Sequence, residues 1–76
     1  MNIKSRAKWS VGQTVYILDK SSRMYRTFGT VTQIEKMDGK MFALVYGRDQ
    51  KLERWFSTKY LATMKDVEEA KKNDWN

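Results

Sequence analysis

The chain has 76 residues, a formal net charge of +6, and neither cysteine nor histidine. A chain of this length builds one small domain, and this composition excludes a disulfide framework and a soft-metal site. No run approaches the roughly 20 apolar residues of a membrane helix, and no apolar segment follows the basic N-terminus as in a signal peptide. We therefore expect a soluble, cytoplasmic protein.

The first nine residues predict a flexible basic arm. They alternate small or polar residues with basic ones and lack a repeating apolar face. The basic residues of the arm are Lys4, Arg6 and Lys8. We expect the arm to end where Trp9 docks on the domain. Trp9 and Trp75 could cover the two open ends of the β domain.

Two strands joined by a long loop are predicted next. Residues 14–18 are β-branched and aromatic, which favours a strand. Residues 19–26 are mostly polar and basic, which indicates a loop. A second strand follows at 27–36, and Gly29 inside its pattern predicts a β-bulge or a bend at that position.

The second and third strands should form a tight hairpin. Asp38-Gly39 separates two β-rich runs, and Asp-Gly favours a type I′ turn, which needs positive φ at both central residues. Residues 41–46 predict the third strand, and Gly47 opens the next turn. The rest of the predicted sheet is a fourth strand at 52–56, a helical turn at 57–59 and a last strand at 60–62.

The C-terminal residues predict a short helix. Thr63, followed three residues later by Asp66, approximates a capping box. The predicted organisation is an arm at 1–9, a β domain at 10–63, and a helix with a tail at 64–76. No proline, repeat or low-complexity tract indicates a second domain.

The order of these elements resembles an SH3-like barrel of the KOW and Tudor type, over about residues 11–64. In a KOW motif, one glycine precedes the first strand and another opens the second. The positions that fit are Gly12, Val15, Ile17, Gly29, Val31 and Ile34. The chain departs from KOW because its loop at 19–26 has no glycine. The resemblance implies an all-β fold, a single five-stranded SH3-like barrel with a short C-terminal helix, and many small bacteriophage and bacterial proteins look similar.

The chain offers little for catalysis. It has no imidazole base and no thiolate, its serines show no spacing typical of an activated nucleophile, and its glycines form no phosphate loop. The plasmid-type dihydrofolate reductase is an enzyme with an SH3-like barrel, but its Val-Gln-Ile-Tyr run is absent from the corresponding residues 55–60. The acidic residues also lack the spacing of a cation-binding loop. We expect no enzymatic activity, no cofactor and no metal.

Positive charge is concentrated in the arm and the β domain. Residues 1–63 hold 12 Lys or Arg against 5 Asp or Glu, whereas residues 64–76 hold 3 against 4. This asymmetry predicts a DNA or RNA partner, bound mainly through phosphates on one basic rim, with aromatic side chains for base stacking. The candidate nucleic-acid-binding residues are Lys4, Arg6, Lys8, Lys20, Arg23, Tyr25, Arg26, Arg48, Lys51, Arg54, Trp55 and Lys59.

Several other interpretations are open at this point. Basic surfaces also keep small proteins in solution and protect strand edges. The chain could instead be a protein-interaction module that acts on a host or cellular complex, with Met24, Tyr25 and Trp75 as exposed contact residues. An aromatic cage for methylated lysine is a third option, although a domain this small needs most of its aromatic residues for packing. Pairing of an exposed sheet edge would give a homodimer.

Overall fold

The computed structural model describes residues 9–74, which form an antiparallel sheet followed by a helix. The elements are β1 (Thr14–Ile17), β2 (Phe28–Met37), β3 (Lys40–Gly47), β4 (Leu52–Ser57), a 3₁₀ turn (Thr58–Tyr60), β5 (Leu61–Thr63) and α1 (Met64–Asp74). The predicted all-β class is confirmed, and each strand bound lies within one residue of its expected position. In this part of the chain, no helix is long and apolar enough to cross a membrane. The arm at 1–8 and Trp75 lie outside the described residues.

The five strands form one sheet in the order β4-β3-β2-β1-β5. β1 is paired on both sides, so that Val15 lies opposite Gly29 of β2 and Thr63 of β5. β4 and β5 are the two end strands of the sheet. Within residues 9–74 the sheet is therefore open, because these end strands do not pair with each other.

The β2–β3 hairpin has the predicted two-residue turn. Met37 pairs with Lys40, and the two residues between them have positive φ angles, 53° at Asp38 and 76° at Gly39. Positive φ at both central positions is the condition of a type I′ turn, whose twist matches that of the flanking strands. The Asp-Gly signal therefore determines which strands pair and in which register.

The β-bulge expected at Gly29 is wrong in position. β2 slips relative to β3 between Val31 and Gln33, so that Thr32 is the extra residue. Gly29 keeps regular pairing with Val15, and its need for glycine comes from a close approach instead. A Cβ at position 29 would overlap the Val45 side chain and lie 2.9 Å from the Tyr46 carbonyl oxygen.

The hydrophobic core lies on the inner face of the sheet and draws on every strand. Its buried residues are Val15, Ile17, Met24, Val31, Ala43, Val45, Phe56 and Leu61. Residues from both end strands meet in one cluster, which requires the sheet to curl around it. Trp9 packs against this core from the N-terminal side.

Met24 is a core residue, which corrects the expectation that it is exposed in the loop. Its side chain is fully buried, and its terminal methyl group lies beside Gly47 at the end of β3. The loop backbone holds it there: the Met24 N–H donates to the Ser22 hydroxyl at 3.0 Å, and the Thr27 hydroxyl donates to the Met24 carbonyl at 2.6 Å. The 19–26 loop is thereby anchored over the sheet.

The capping box at the start of α1 is confirmed. The Asp66 N–H donates to the Thr63 hydroxyl at 3.0 Å, and the Thr63 N–H donates to the Asp66 carboxylate at 3.1 Å. Two backbone donors that lack helical partners are satisfied by this exchange. The helix contacts β5 and β1, which attaches it to the sheet.

Candidate nucleic-acid interface

Two of the predicted basic residues meet in one groove, here called the Arg26–Arg48 groove. It is open, has a volume of about 400 Å³, and lies where the 19–26 loop meets the turn after β3. Its lining includes Thr14, Arg26, Phe28, Thr30, Tyr46 and Arg48. Asp49 also lines the groove, so that the groove carries two positive charges and one negative charge.

The backbone sets the position of Arg26 at this groove. The Arg26 N–H donates to the Ile17 carbonyl at 2.9 Å, and the Ile17 N–H donates to the Thr27 carbonyl at 3.0 Å. Arg26 has a φ of 66°, in the left-handed region that L residues rarely adopt. The loop thus leaves β1 and re-enters the sheet through a fixed turn with Arg26 exposed at its end.

Phe28 and Tyr46 form the aromatic wall of the Arg26–Arg48 groove, and neither was among the predicted site residues. They are 47% and 40% exposed. The Phe28 ring is supported from β1 by Tyr16, with ring centroids 4.9 Å apart. The signal that could have found them is strand alternation, because Val31 and Val45 face the core and their sheet neighbours of opposite parity must face outward.

Arg23 and Arg54 lie together in a different depression, the Arg23–Arg54 groove, of about 270 Å³ between the loop and β4. Asp19 also lines it. The pKa of Asp19 is held below its ordinary value because the Ser21 hydroxyl donates to the carboxylate at 2.7 Å and the Ser21 N–H donates at 3.0 Å. This carboxylate stays charged at mildly acidic pH and offsets part of the positive charge of the groove.

Trp55 borders two depressions. It lines the Arg23–Arg54 groove on one side and, on the other, an apolar depression of about 370 Å³ formed with Glu35, Met37 and Phe42. We call this second one the Met37–Trp55 groove. Its composition fits apolar contacts better than phosphate contacts.

Lys59 is separated from the arginine grooves. It lines a wide depression of about 620 Å³, the Lys40–Lys59 groove, beside the hairpin and the 3₁₀ turn. The Lys59 ammonium lies 5.3 Å from the centroid of the Tyr60 ring, within cation–π range. Lys40, which follows the Asp-Gly turn, was not among the predicted site residues.

The remaining predicted residues lie around these grooves. Lys20 and Lys51 are exposed. Tyr25 is half-buried, and the Arg26 guanidinium carbon lies 6.0 Å from the centroid of its ring. One face of the ring is therefore partly covered by Arg26. Lys4, Arg6 and Lys8 lie outside the described residues. The described basic side chains are thus distributed among separate grooves. The Arg26–Arg48 groove combines two arginines with two exposed aromatic rings, Phe28 and Tyr46, whereas the Arg23–Arg54 groove has one exposed ring, Trp55.

Comparison with known proteins does not identify a family for this chain. No protein-family model, curated protein or solved structure matches the chain significantly. Among residues 9–74, no group of three or more acidic side chains is placed to hold a metal ion.

Proposed function

We propose that this protein is a small non-catalytic nucleic-acid-binding protein built on an SH3-like barrel of the KOW and Tudor type. The observation that carries the functional proposal is the meeting of Arg26 and Arg48 in one groove with exposed aromatic rings. The grouping of basic and aromatic side chains is typical of nucleic-acid-binding surfaces.

The barrel part of the proposal is supported by the strand order and by the core. A meander of four strands, in which β1 also pairs with β5, gives the order β4-β3-β2-β1-β5 and suits a partly open barrel. The common core under both end strands indicates the curvature that a barrel requires. Such a small barrel leaves its partner to bind on the outer surface.

Binding would depend mainly on phosphate contacts. Arg26 and Arg48 would each neutralise a phosphate, and Arg23 and Arg54 would add further contacts along the loop. Little base selectivity is expected from such contacts, because phosphates carry no sequence information. We expect a regulatory protein that binds nucleic acid with broad sequence tolerance.

The salt dependence of binding tests this proposal. With about five phosphate contacts, the logarithm of the binding constant should fall with the logarithm of salt concentration at a slope of about −4.5 on duplex DNA. The double variant Arg26→Ala Arg48→Ala should bind more weakly, and its slope should be flatter by about 1.8, because two phosphate contacts are lost. Fluorescence anisotropy with a labelled duplex and a labelled single strand measures both quantities.

The matched control is Lys65→Ala with Lys71→Ala. This pair removes the same charge from exposed positions on α1 and keeps good helix formers there. It should leave the slope nearly unchanged. Equal losses in the two double variants would indicate only a general charge effect, and absent or salt-insensitive binding at low salt would contradict the proposal.

A second candidate function is protein interaction, which the Met37–Trp55 groove favours. Met37 is 54% exposed, Trp55 is exposed beside it, and exposed methionine and tryptophan are enriched at protein interfaces. Met24, which the sequence analysis assigned to such contacts, is buried and is removed from this hypothesis.

A pull-down from the source cell, with and without nuclease, separates the two functions. Partners that are lost after nuclease treatment favour nucleic-acid binding. One stoichiometric protein that survives nuclease and is lost in Met37→Lys, but retained in the Arg26→Ala Arg48→Ala variant, favours the interaction module.

A further inference from the structure

The outer face of the sheet places aromatic rings where an unpaired base could reach them. Thr30 lies opposite Tyr46 across β2 and β3, and Phe28 is two residues from Thr30 on the same face of β2. Phe28 and Tyr46 therefore stand on one face and line one groove. Burial of these two rings would remove apolar area from water, and adjoining exposed rings are typical of contact surfaces.

The Phe28 ring packs against a second aromatic ring on one side. Tyr16 is its cross-strand neighbour and packs against it with an interplanar angle of 54°. The backbone under the ring is also constrained, because Gly29 sits against Val45 and Tyr46 without space for a side chain. A ring with little freedom loses little conformational entropy when a base stacks on it.

The polar groups around these rings suit a nucleotide better than a simple anion. Arg26 and Arg48 supply positive charge at the groove, whereas Asp49 adds a carboxylate that a bare phosphate site would avoid. A carboxylate accepts hydrogen bonds from base N–H groups or from a ribose hydroxyl. Thr14 and Thr30 place small hydroxyl-bearing side chains beside the rings, which leaves space above the sheet.

We infer that the Arg26–Arg48 groove binds single-stranded nucleic acid, with an unpaired base stacked against Phe28 or Tyr46 and neighbouring phosphates at the two arginines. This inference rests on the proposed function and deepens it. In a duplex the base faces are covered by neighbouring base pairs, so a duplex could use only the arginines. A single strand gains the stacking contribution in addition.

Ring-removing variants test the inference directly. The probes are a fluorescein-labelled oligothymidylate of about 12 nucleotides, the equivalent oligouridylate, a hairpin duplex of similar length, and an oligothymidylate with central abasic sites. Phe28→Leu with Tyr46→Leu keeps apolar side chains in the strands but removes both rings. It should weaken single-strand binding roughly 5- to 150-fold, the effect of losing one stacked base, and leave duplex binding unchanged.

The controls separate stacking from damage to the fold. Tyr60→Leu removes a ring that is 41% exposed in the Lys40–Lys59 groove, and it should not alter binding. Tyr46→Phe keeps the ring and should retain the single-strand binding that Tyr46→Leu loses. Circular dichroism checks folding, and the single leucine variants replace the double variant if it unfolds. On the abasic strand, the ring variants should cause no further loss.

The possible outcomes distinguish this inference from the proposed function. In one outcome, the Arg26→Ala Arg48→Ala variant binds more weakly with a flatter salt slope, but the ring variants bind single strands as tightly as the unchanged protein. The stacking site is then wrong, and phosphate binding is supported. If the ring variants weaken duplex and single strand equally, the inference is also overturned. If no probe binds at low salt, both proposals fail. If the ring variants weaken binding to oligouridylate but not to oligothymidylate, the inference is supported with RNA as the ligand.

Discussion

Met24 illustrates how a residue in a polar loop becomes part of the core. It lies among Ser21, Ser22 and Arg23, where hydrophobic pattern alone predicts exposure, yet its side chain is fully buried. Its burial depends on loop hydrogen bonds to Ser22 and Thr27 and on the space left by Gly47. The same anchoring places Arg23 and Arg26 on either side of the buried methionine.

Removing the Met24 side chain should therefore be costly. We expect Met24→Ala to lower the free energy of unfolding by about 2–5 kcal/mol, because it leaves a cavity where the loop meets β3. The matched control is Met37→Ala, at an exposed position, which should change stability by less than about 0.5 kcal/mol. Urea unfolding followed by circular dichroism measures both, and similar losses in the two variants would contradict the assigned role.

Gly29, inside β2, and Gly39, in the hairpin turn, are required for different reasons. At Gly39 the positive φ of the hairpin turn is the requirement, and it could be recognised from the preceding Asp38. At Gly29 the requirement is the approach of β3, which no neighbouring residue in the sequence reveals. A local signal was therefore available for one glycine and not for the other.

At the scale of elements, the strands, the hairpin and the helix start could all be predicted, because each depends on neighbours along the chain. Strand propensity and turn residues predicted five strands to within one residue at each end. The bulge at Thr32 could not be placed, because it is a relation between β2 and β3 that depends on how both pack against the core.

The capping box at the start of α1 gives a prediction at this scale. Thr63→Ala should lower stability by about 0.5–2 kcal/mol, since the Asp66 N–H loses its acceptor. Thr63→Ser keeps the hydroxyl and should lose clearly less. Urea unfolding and the helical signal in circular dichroism provide the measurement, and an equal loss in both variants would show that the strand position of Thr63, opposite Val15, matters more than the cap.

At the scale of the whole molecule, one core serves all five strands. The cluster includes residues from both end strands and from the long loop, and α1 contacts β5 and β1. No described element has a separate set of buried contacts that could keep it folded alone. Stability should also be modest, because a chain this short buries only about 60% of the surface that its unfolded form exposes.

We therefore expect one cooperative unfolding transition. Tryptophan fluorescence, to which Trp9 beside the core contributes, and far-UV circular dichroism should give the same midpoint, with a urea m-value of roughly 1 kcal/mol/M. A separate early transition in the helical signal would instead indicate that α1 unfolds independently. The same experiment provides the baseline for every variant described above.

The all-β class, the strand positions, the Asp38-Gly39 hairpin and the Thr63–Asp66 cap could be predicted from the amino-acid sequence, because they depend on local conformational preferences and on side chains a few residues apart. The concentration of positive charge in residues 1–63, rather than in residues 64–76, could also be counted directly. The burial of Met24 and the meeting of Arg26 with Arg48 beside Phe28 and Tyr46 were visible only after folding. These features depend on contacts between segments that are distant along the chain, which local preferences do not specify.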